Sequence, residues 1–278
     1  MDSDHLLSPK YPLDLSKKPL IGMVHLPPLL KHNETPFSID ETSEICFQDA
    51  ITLEKAGFDA ILIENYHDTP YSKYRLDDAR FLIMNSIVGR IKSKISIPFG
   101  INILRNACVQ ALVMAMVNQA SFIRCNIYEG VYVTDQGIIE GVAAEVRKKY
   151  QELRLRVKIL ADIQVKHATP LGDFSMTEAA TNAIHRGKAD AVIVSGRETG
   201  KIIDNAKLET FVNQSKIQPI LGSGLSMENL SIVFPFISGA IVGTSIKISD
   251  LKSPIDYDKA SQLSNLWNSK REKEFKDR

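Results

Sequence analysis

The six residues from Asp162 to His167 bring a carboxylate, an ammonium group and an imidazole close together in the sequence. Asp162 has the chemistry of a general base or a metal ligand. Lys166 can neutralise a carboxylate or phosphate and, if desolvated, can form a Schiff base, while His167 can act as an acid or a base. We predict catalytic roles for all three, and an exposed loop is the alternative for Lys166 and His167.

A second polar segment, from Glu64 to Asp68, contains two carboxylates, an amide, a phenol and an imidazole. We predict that Glu64 shares the acid–base role with Asp162. His25, Glu64, His67 and Asp162 are also residue types that bind divalent metal ions. The sequence lacks the HxH and HExxH spacings typical of such sites. We therefore assign no metal ligand, leave the cofactor open and keep a divalent metal ion as an alternative.

Two glycine-containing segments near the C-terminus are suited to hold a phosphate. Each follows a short apolar run, and small residues there let backbone N–H groups approach an anion. Between them, the segment from Ser226 to Phe236 has the length and composition of a helix that begins at Ser226. Two tight turns with nothing bound are the alternative. The predicted phosphate contacts are Gly222, Ser223, Gly224, Gly243, Thr244 and Ser245.

The elements that must position these residues are eight apolar runs that alternate with eight helical patterns. The predicted strands are 20–26, 59–64, 97–104, 121–127, 157–163, 190–195, 219–221 and 239–242. The predicted helices are 43–56, 77–94, 106–119, 139–153, 175–186, 204–215, 226–236 and 256–267. This alternation predicts an α/β fold with parallel strands. A single-domain (β/α)8 TIM barrel is the first choice, and an open, doubly wound sheet is the alternative.

Side-chain alternation along the predicted strands places the polar residues on one face. In strands two to six, one face is apolar, and the other becomes polar near the C-terminal end of the strand. In a closed barrel these polar groups point into the mouth, at the end where barrel enzymes work. Buried structural ion pairs, such as Arg124 with Glu64 or Asp162, are the alternative. With the phosphate loops, the predicted substrate contacts are His25, Asn102, Arg124, Asn126 and Ser195.

Two further polar segments lie at the same predicted rim. Arg105 and Asn106 follow the third strand, and the segment 128–137 forms a long loop with two tyrosines and two carboxylates. A loop of this length and content is typical of a lid or a binding loop. Its apolar residues are equally suited to a subunit interface, so a homo-oligomer stays open.

The composition excludes several classes of protein. The 278 residues are 44% hydrophobic and 24% charged, with a formal net charge of +1, which gives no global attraction to nucleic acid or to anionic membranes. No apolar run is long enough to span a membrane, and no signal or transit peptide is evident, so we expect a cytoplasmic protein. The three cysteines are widely spaced and are predicted to be buried thiols. We divide the chain into a lead-in (1–18), the barrel (19–268) and a charged tail (269–278).

Several long motifs resemble the BtpA family. They are LIGMVHLPP, GFDAILIENYHDTPY, PFGINILRNA, FIRCNIYEGVYVTDQGIIEG, VKILADIQVKHATPLG, ADAVIVSGRETG, ILGSG and IVGTSIK. The resemblance covers roughly residues 19–256 and implies a TIM barrel related to the ribulose-phosphate-binding barrels. The family is named for a role in photosystem I biogenesis, but its members reach organisms without photosynthesis, so the resemblance implies no particular reaction here.

These patterns lead to one functional prediction and two alternatives. We predict that the chain binds and transforms a small phosphorylated metabolite, a sugar or nucleoside phosphate, as a lyase, isomerase or hydrolase. In this scheme Arg124 and Lys166 stabilise developing negative charge, and Asn102 and Asn126 orient the substrate. The alternatives are a non-catalytic assembly or regulatory factor and a metal-dependent hydrolase.

Overall fold

Eight of the described strands follow the predicted order along the chain, and three further short strands were not predicted. A computed structural model describes residues 8–30, 38–165, 167–173, 175–196 and 204–276. The strands in chain order are β1 (Leu20–His25), β2 (Ala60–Glu64), β3 (Phe99–Asn102), β4 (Phe122–Cys125), β5 (Val131–Thr134), β6 (Gly137–Glu140), β7 (Lys158–Asp162), β8 (Ala168–Pro170), β9 (Ala191–Val194), β10 (Ile220–Leu221) and β11 (Gly239–Val242).

Four of the described helices begin where a short polar side chain caps them. Ser38, Asp77, Ser175 and Asp204 each accept a hydrogen bond from the backbone N–H three residues further on. None of the described helices is both long enough and apolar enough to cross a bilayer. The helices in chain order are α1 (Ile39–Lys55), α2 (Asp78–Lys92), α3 (Cys108–Asn118), α4 (Ala143–Glu152), α5 (Met176–Thr181), α6 (Asn205–Ser215), α7 (Leu230–Val233) and α8 (Tyr257–Lys276).

Within the described residues, parallel strands close into the eight-stranded barrel that the alternating pattern predicts. The circular order is β1, β11, β10, β9, β7, β4, β3 and β2, and β1 pairs with both β2 and β11. The predicted single-domain (β/α)8 barrel is therefore confirmed, and the open sheet is wrong. In this ring β3 lies opposite β10, and β4 lies opposite β11, which decides which loops face each other across the mouth.

The alternation of side chains divides the barrel strands as predicted. The outward face packs on the helices and includes Ile63, Ile101 and Ile123. The inward face fills the lower part of the barrel with a separate apolar cluster: Leu13, Ile21, Met23, Ala60, Leu62, Phe122, Leu160, Ile193, Ile220 and Ile241. The same inward face continues upward as the polar residues of the mouth, because the period of two is kept along each strand.

The described residues near both ends of the chain pack on the barrel. Leu13 is buried in the inner apolar cluster, and the carbonyl of Tyr11 accepts a hydrogen bond from Ser121. Trp267 is buried on α8 and donates its indole N–H to the Lys18 carbonyl at 3.0 Å. The described residues that precede β1 thus close the end of the barrel opposite the mouth.

The segment 128–140 differs from its prediction. It forms a β5–β6 hairpin, and β8, from after β7, pairs with the free side of β5 to complete a three-stranded antiparallel sheet. Ile138 and Ile139 therefore belong to a strand, and the helix predicted from 139 begins only at Ala143. The reason is tertiary: Ile139 and Tyr132 are buried against Ile127 and Val165, which no local pattern shows.

Two C-terminal helices also differ in length from their predictions. The segment predicted as a helix from Ser226 to Phe236 is helical only from Leu230, and a 3-10 turn at Phe234–Phe236 ends it. Asn229 accepts from the Ser226 N–H, which shapes a loop in place of the first predicted turn. In contrast, α8 continues past Trp267 to Lys276, so the charged tail is helical as far as it is described.

Candidate active site

A cavity of about 650 Å³ opens at the C-terminal end of the barrel strands. Its wall is built from the ends of β1, β2, β4 and β7 and from the loops after β3, β10 and β11. A volume of this size is typical of a pocket for a small organic ligand. The predicted site residues on this wall are His25, Glu64, Arg124, Asn126, Asp162, His167, Gly222, Ser223, Gly224, Gly243, Thr244 and Ser245.

Arg124 and Asp162 form a buried ion pair on neighbouring strands. The Nε and Nη2 atoms of Arg124 lie 2.9 and 3.0 Å from the two carboxylate oxygens of Asp162. Asn126 donates its side-chain amide to the same carboxylate at 3.0 Å. Burial alone lowers the pKa of Arg124, but the Asp162 charge and hydrogen bonds outweigh it and raise the pKa. Arg124 is therefore a permanent, fixed positive charge in the wall of the cavity.

Glu64 lies at the end of β2 beside the imidazole of His25. Glu64 Oε1 is 3.9 Å from His25 Nε2, and Glu64 Oε2 accepts a hydrogen bond from Asn102. The His25 ring packs on Tyr66 with ring centroids 4.9 Å apart. Glu64 thus lines the cavity, and the hydrogen bond from Asn102 fixes its orientation.

The loop after β10 lies close to the neighbouring strand β9. A Cβ atom at Gly222 would come within 2.5 Å of both Ile193 and Ser195, so this position has no room for a side chain. Gly224 has a φ of +79°, in the left-handed region that favours glycine. The Asn229 side-chain amide donates to the Gly224 carbonyl at 2.7 Å and so holds the loop in place.

The loop after β11 continues the same wall. A Cβ atom at Gly243 would lie 3.2 Å from His25 Cε1, so the glycine lets the imidazole pack against the loop. Ser245 donates its hydroxyl to the Leu225 carbonyl at 2.7 Å, which ties this loop to the one after β10. Thr244 is exposed in the cavity wall. The two glycine loops therefore form one continuous surface of backbone and hydroxyl groups.

The metal-site alternative fits the described residues poorly. No group of three or more His, Cys, Asp and Glu side chains within them is arranged to hold a metal ion. His67 Nε2 lies 3.3 Å from the Leu251 carbonyl, outside the cavity wall, and burial lowers the pKa of this histidine. Both oxygens of Asp162 already accept hydrogen bonds from Arg124 or Asn126. We derive no step through a metal ion.

Two of the predicted residues that the structure describes lie elsewhere. Asn102 and Ser195 are buried but do not line the cavity: Asn102 contacts Glu64, and Ser195 is packed against Gly222. Each therefore lies one layer behind a residue of the wall, and their direct contact with a ligand stays a prediction. Lys166 lies outside the described residues. His167 is exposed and borders both the main cavity and a neighbouring one of about 510 Å³.

Several residues of the wall were absent from the predicted set. Tyr66, Tyr71, Arg105, Ser226 and Asn229 all line the cavity. Burial and the nearby charge of Glu64 raise the pKa of Tyr71, so its hydroxyl stays protonated. The sequence placed Arg105 at the rim, and its position directly after the predicted third strand was the signal that could have added it to the predicted set. The other four lie in irregular loops, and no periodic pattern in the sequence predicts the course of such a loop.

The sequence comparisons place the chain among a set of related proteins. The sequence model described as the BtpA family matches residues 16–269. An uncharacterized protein of Methanocaldococcus jannaschii is 42% identical over 91% of this chain and 96% of its own length. The photosystem I biogenesis protein BtpA of Synechocystis is 41% identical over 82% of this chain and 80% of its own length.

The solved structures with a similar fold are TIM-barrel proteins of low sequence identity. Phosphoribosyl anthranilate isomerase from Thermus thermophilus gives a TM-score of 0.54 at 12% identity, covering 90% of this chain and 98% of that one. A putative phosphonomutase from Burkholderia cenocepacia gives a TM-score of 0.53 at 13% identity, covering 82% and 87%. At this level of identity the similarity shows the shared barrel.

Proposed function

This chain belongs to the BtpA family, and from that premise we propose that its barrel binds a small phosphorylated metabolite and transforms it by acid–base chemistry. The observation that carries the proposal is that one cavity joins both glycine loops to Glu64, Arg124 and Asp162. Phosphate would lie on the loops 222–224 and 243–245, and the rest of the ligand would reach the charged groups.

The similar barrels support a phosphorylated ligand. The name of phosphoribosyl anthranilate isomerase states a phosphorylated sugar, and that barrel covers nearly the whole of this fold. In TIM barrels a phosphate site is frequently formed by the loops after the last two strands. In this chain those are the loops after β10 and β11, which are the two glycine loops.

Asn126 supports a ligand with hydroxyl groups. The side-chain NH₂ of Asn126 is fixed by its bond to the Asp162 carboxylate, which accepts but does not donate when ionised. Its carbonyl oxygen is buried and has no partner among the described residues. A buried acceptor without a partner is costly, and a ligand hydroxyl at the cavity wall would satisfy it. A sugar or nucleoside phosphate carries such hydroxyls.

We propose different roles for the two carboxylates. Asp162 is held by Arg124 and Asn126, so it serves to fix the guanidinium in place. Glu64, with His25 beside it, is the group placed to take a proton from the ligand. Arg124 would then stabilise the negative charge that forms on a carbonyl or hydroxyl oxygen. Such a step belongs to an isomerase or a lyase.

A binding panel tests the proposal. Ribose 5-phosphate, glucose 6-phosphate and adenosine 5′-monophosphate are compared with ribose, glucose and adenosine by thermal unfolding. A phosphorylated ligand at 100 times its dissociation constant adds about 2.7 kcal/mol to the free energy of unfolding. We expect at least one phosphorylated compound to raise the melting temperature, and its unphosphorylated counterpart to leave it unchanged. Equal effects within every pair, or no effect of any compound, would contradict the proposal.

A matched pair of variants locates the phosphate. Thr244 is exposed in the cavity wall, so Thr244→Glu adds a carboxylate there without burying it. Thr244→Gln adds an amide of the same shape. Repulsion between like charges predicts that Thr244→Glu weakens binding of the phosphorylated compound at least tenfold, whereas Thr244→Gln stays within about threefold of the wild type. Equal effects of the two variants would place the phosphate elsewhere.

A further inference from the structure

A second cavity lies beyond the end of β7, next to the main one. It has a volume of about 510 Å³, and Val165 and His167 line both cavities. Ile163, Gln164 and Val165, which follow directly after β7, line it together with the residues of β8. The described part of its wall contains none of the groups to which the proposed function gives a role. The cavity is therefore still to be explained.

The wall of the second cavity contains aromatic and apolar side chains. Tyr132 is buried on β5 and packs in the same cluster as Val165. Ala168 on β8 packs against this cluster, and Met176 at the start of α5 also lines the cavity. Aromatic and apolar side chains of this kind pack on the faces of a planar ring.

Gln164 adds a hydrogen-bonding group to the wall of the second cavity. Its side-chain carbonyl oxygen is buried and has no hydrogen-bond partner in the part of the chain that the structure describes. A buried acceptor without a partner is costly. A glutamine side chain carries a donor beside this acceptor, and the edges of nucleobases present the matching pair of groups. A nucleobase in the cavity would therefore satisfy Gln164.

The order of the strands places this cavity on the far side of Asn126 from the glycine loops. The glycine loops follow β10 and β11, and β7 lies two strands from β10 in the ring. Asp162 ends β7 and binds Asn126, whose carbonyl oxygen is the proposed acceptor for a ligand hydroxyl. Residues 163–165 then lead from Asp162 to the second cavity. The sites for a phosphate, a hydroxyl-bearing sugar and a planar ring thus follow one another as these groups do in a nucleoside 5′-phosphate.

We propose that the ligand is a nucleoside 5′-phosphate whose base lies in the second cavity, with one face on Tyr132 and its edge on Gln164. This inference rests on the proposed function and narrows it from sugar and nucleoside phosphates to nucleoside phosphates. The ribose then lies in the main cavity, which Glu64 and Arg124 line. The sugar, and not the base, is therefore the part of the ligand that meets the acid–base groups.

Calorimetry separates the contribution of the base from that of the phosphate. Ribose and ribose 5-phosphate are compared with adenosine, guanosine, cytidine and uridine and with their 5′-monophosphates. We expect one of the four nucleotides to bind at least about tenfold more tightly than ribose 5-phosphate. If ribose 5-phosphate binds and no nucleotide reaches this ratio, the inference is overturned and the proposed function stands. If the phosphate adds affinity neither to ribose nor to any nucleoside, both are overturned.

Two variants locate the base. Gln164→Leu removes the amide, and Ala168→Leu fills space in the second cavity, and neither residue lines the main one. In both, the preference for the nucleotide over ribose 5-phosphate should fall to less than about threefold. Affinity for ribose 5-phosphate should stay within about threefold of the wild type, which also shows that the variants fold. Val133→Leu is the control and should keep the preference, because Val133 is 46% exposed on the opposite face of β5 from Tyr132. An unchanged preference in Gln164→Leu or Ala168→Leu, or an equal loss of both ligands, would overturn the inference.

Discussion

The Arg124–Asp162 pair is the residue-scale feature on which the shape of the cavity wall depends. Both side chains are buried, and their two hydrogen bonds are 2.9 and 3.0 Å long. Removing one partner of such a pair leaves a buried charge without compensation, which is far more costly than removing both. The pair therefore stabilises the site only as a unit.

Asp162→Asn is expected to lower the free energy of unfolding by about 3 kcal/mol. The substitution keeps the shape of the side chain but leaves the Arg124 charge buried and unneutralised. The double variant Arg124→Met with Asp162→Asn should recover most of this loss. Urea unfolding of the three proteins measures the effect.

The control for this prediction is an exposed ion pair. Glu152 accepts a hydrogen bond from Lys149 at 2.6 Å on the surface of α4, and Glu152→Gln should leave the free energy of unfolding nearly unchanged. A loss in Asp162→Asn no larger than that in Glu152→Gln would contradict the account of the buried pair.

The cysteines allow a second prediction at this scale. Cys46, Cys108 and Cys125 are buried, and burial together with the Asp49 charge raises the pKa of Cys46 to about 12. Burial also raises the pKa of Cys125. The thiolate is the reactive form, so at pH 8 the native protein should not react with an aromatic disulfide reagent. Three thiols should be released on unfolding in guanidinium, and a cysteine that reacts within minutes in the native protein would contradict this.

At the scale of the elements, a histidine in the loop after β2 contacts the segment before α8. Protonation of this histidine is unfavourable in the folded protein. His67 contacts the Leu251 carbonyl in the segment before α8, and burial is the main cause that lowers its pKa. The folded state therefore prefers the neutral imidazole more than the unfolded chain does. This stabilisation is present above the unfolded pKa of about 6.5 and is lost as the pH falls through the lower folded pKa.

The pH dependence of stability tests this contact. Between pH 7 and pH 5, the free energy of unfolding of the wild type should fall more steeply than that of His67→Gln, which cannot be protonated in this range. Because His67 is only half-buried, the difference is expected to be small. Urea unfolding at several pH values measures it, and parallel profiles would show that His67 does not titrate in this way.

The β5–β6 hairpin is the element that was hardest to predict from the sequence. Its strands are four residues each, and its third strand, β8, lies on the far side of β7 in the sequence. Helices with a capping residue and a long apolar stripe, such as α1 and α2, follow from local pattern and were predicted to within a few residues. A sheet assembled from distant short strands depends on contacts that no window of sequence contains.

At the scale of the whole molecule, the barrel was predictable because every strand obeys the same rules. The alternation of strands and helices predicted the fold. The side-chain period of two predicted which face of each barrel strand carries polar groups into the mouth. What could not be predicted is how those groups pair. Asp162 was expected to be a base, but Arg124 on the neighbouring strand binds both of its oxygens. Such pairing is decided by side-chain contacts between strands 38 residues apart.

The packing of Leu13, in the segment before β1, leads to a prediction about the stability of the whole barrel. Leu13 is 5% exposed and packs in the inner apolar cluster, so Leu13→Ala should lower the free energy of unfolding by about 2–4 kcal/mol. Leu82 on α2 is 65% exposed, and Leu82→Ala should change it by less than about 0.5 kcal/mol. Urea unfolding measures both. Equal effects would show that the residues before β1 do not stabilise the barrel.

The location of the phosphate in a co-crystal tests the central claim most directly. The protein would be crystallised with the phosphorylated compound that raises its melting temperature most. We predict that the phosphate oxygens lie about 2.7–3.1 Å from backbone N–H groups of the loops 222–224 and 243–245, with the rest of the ligand beside Glu64 and Arg124. A phosphate bound outside this cavity, with both loops empty, would contradict it.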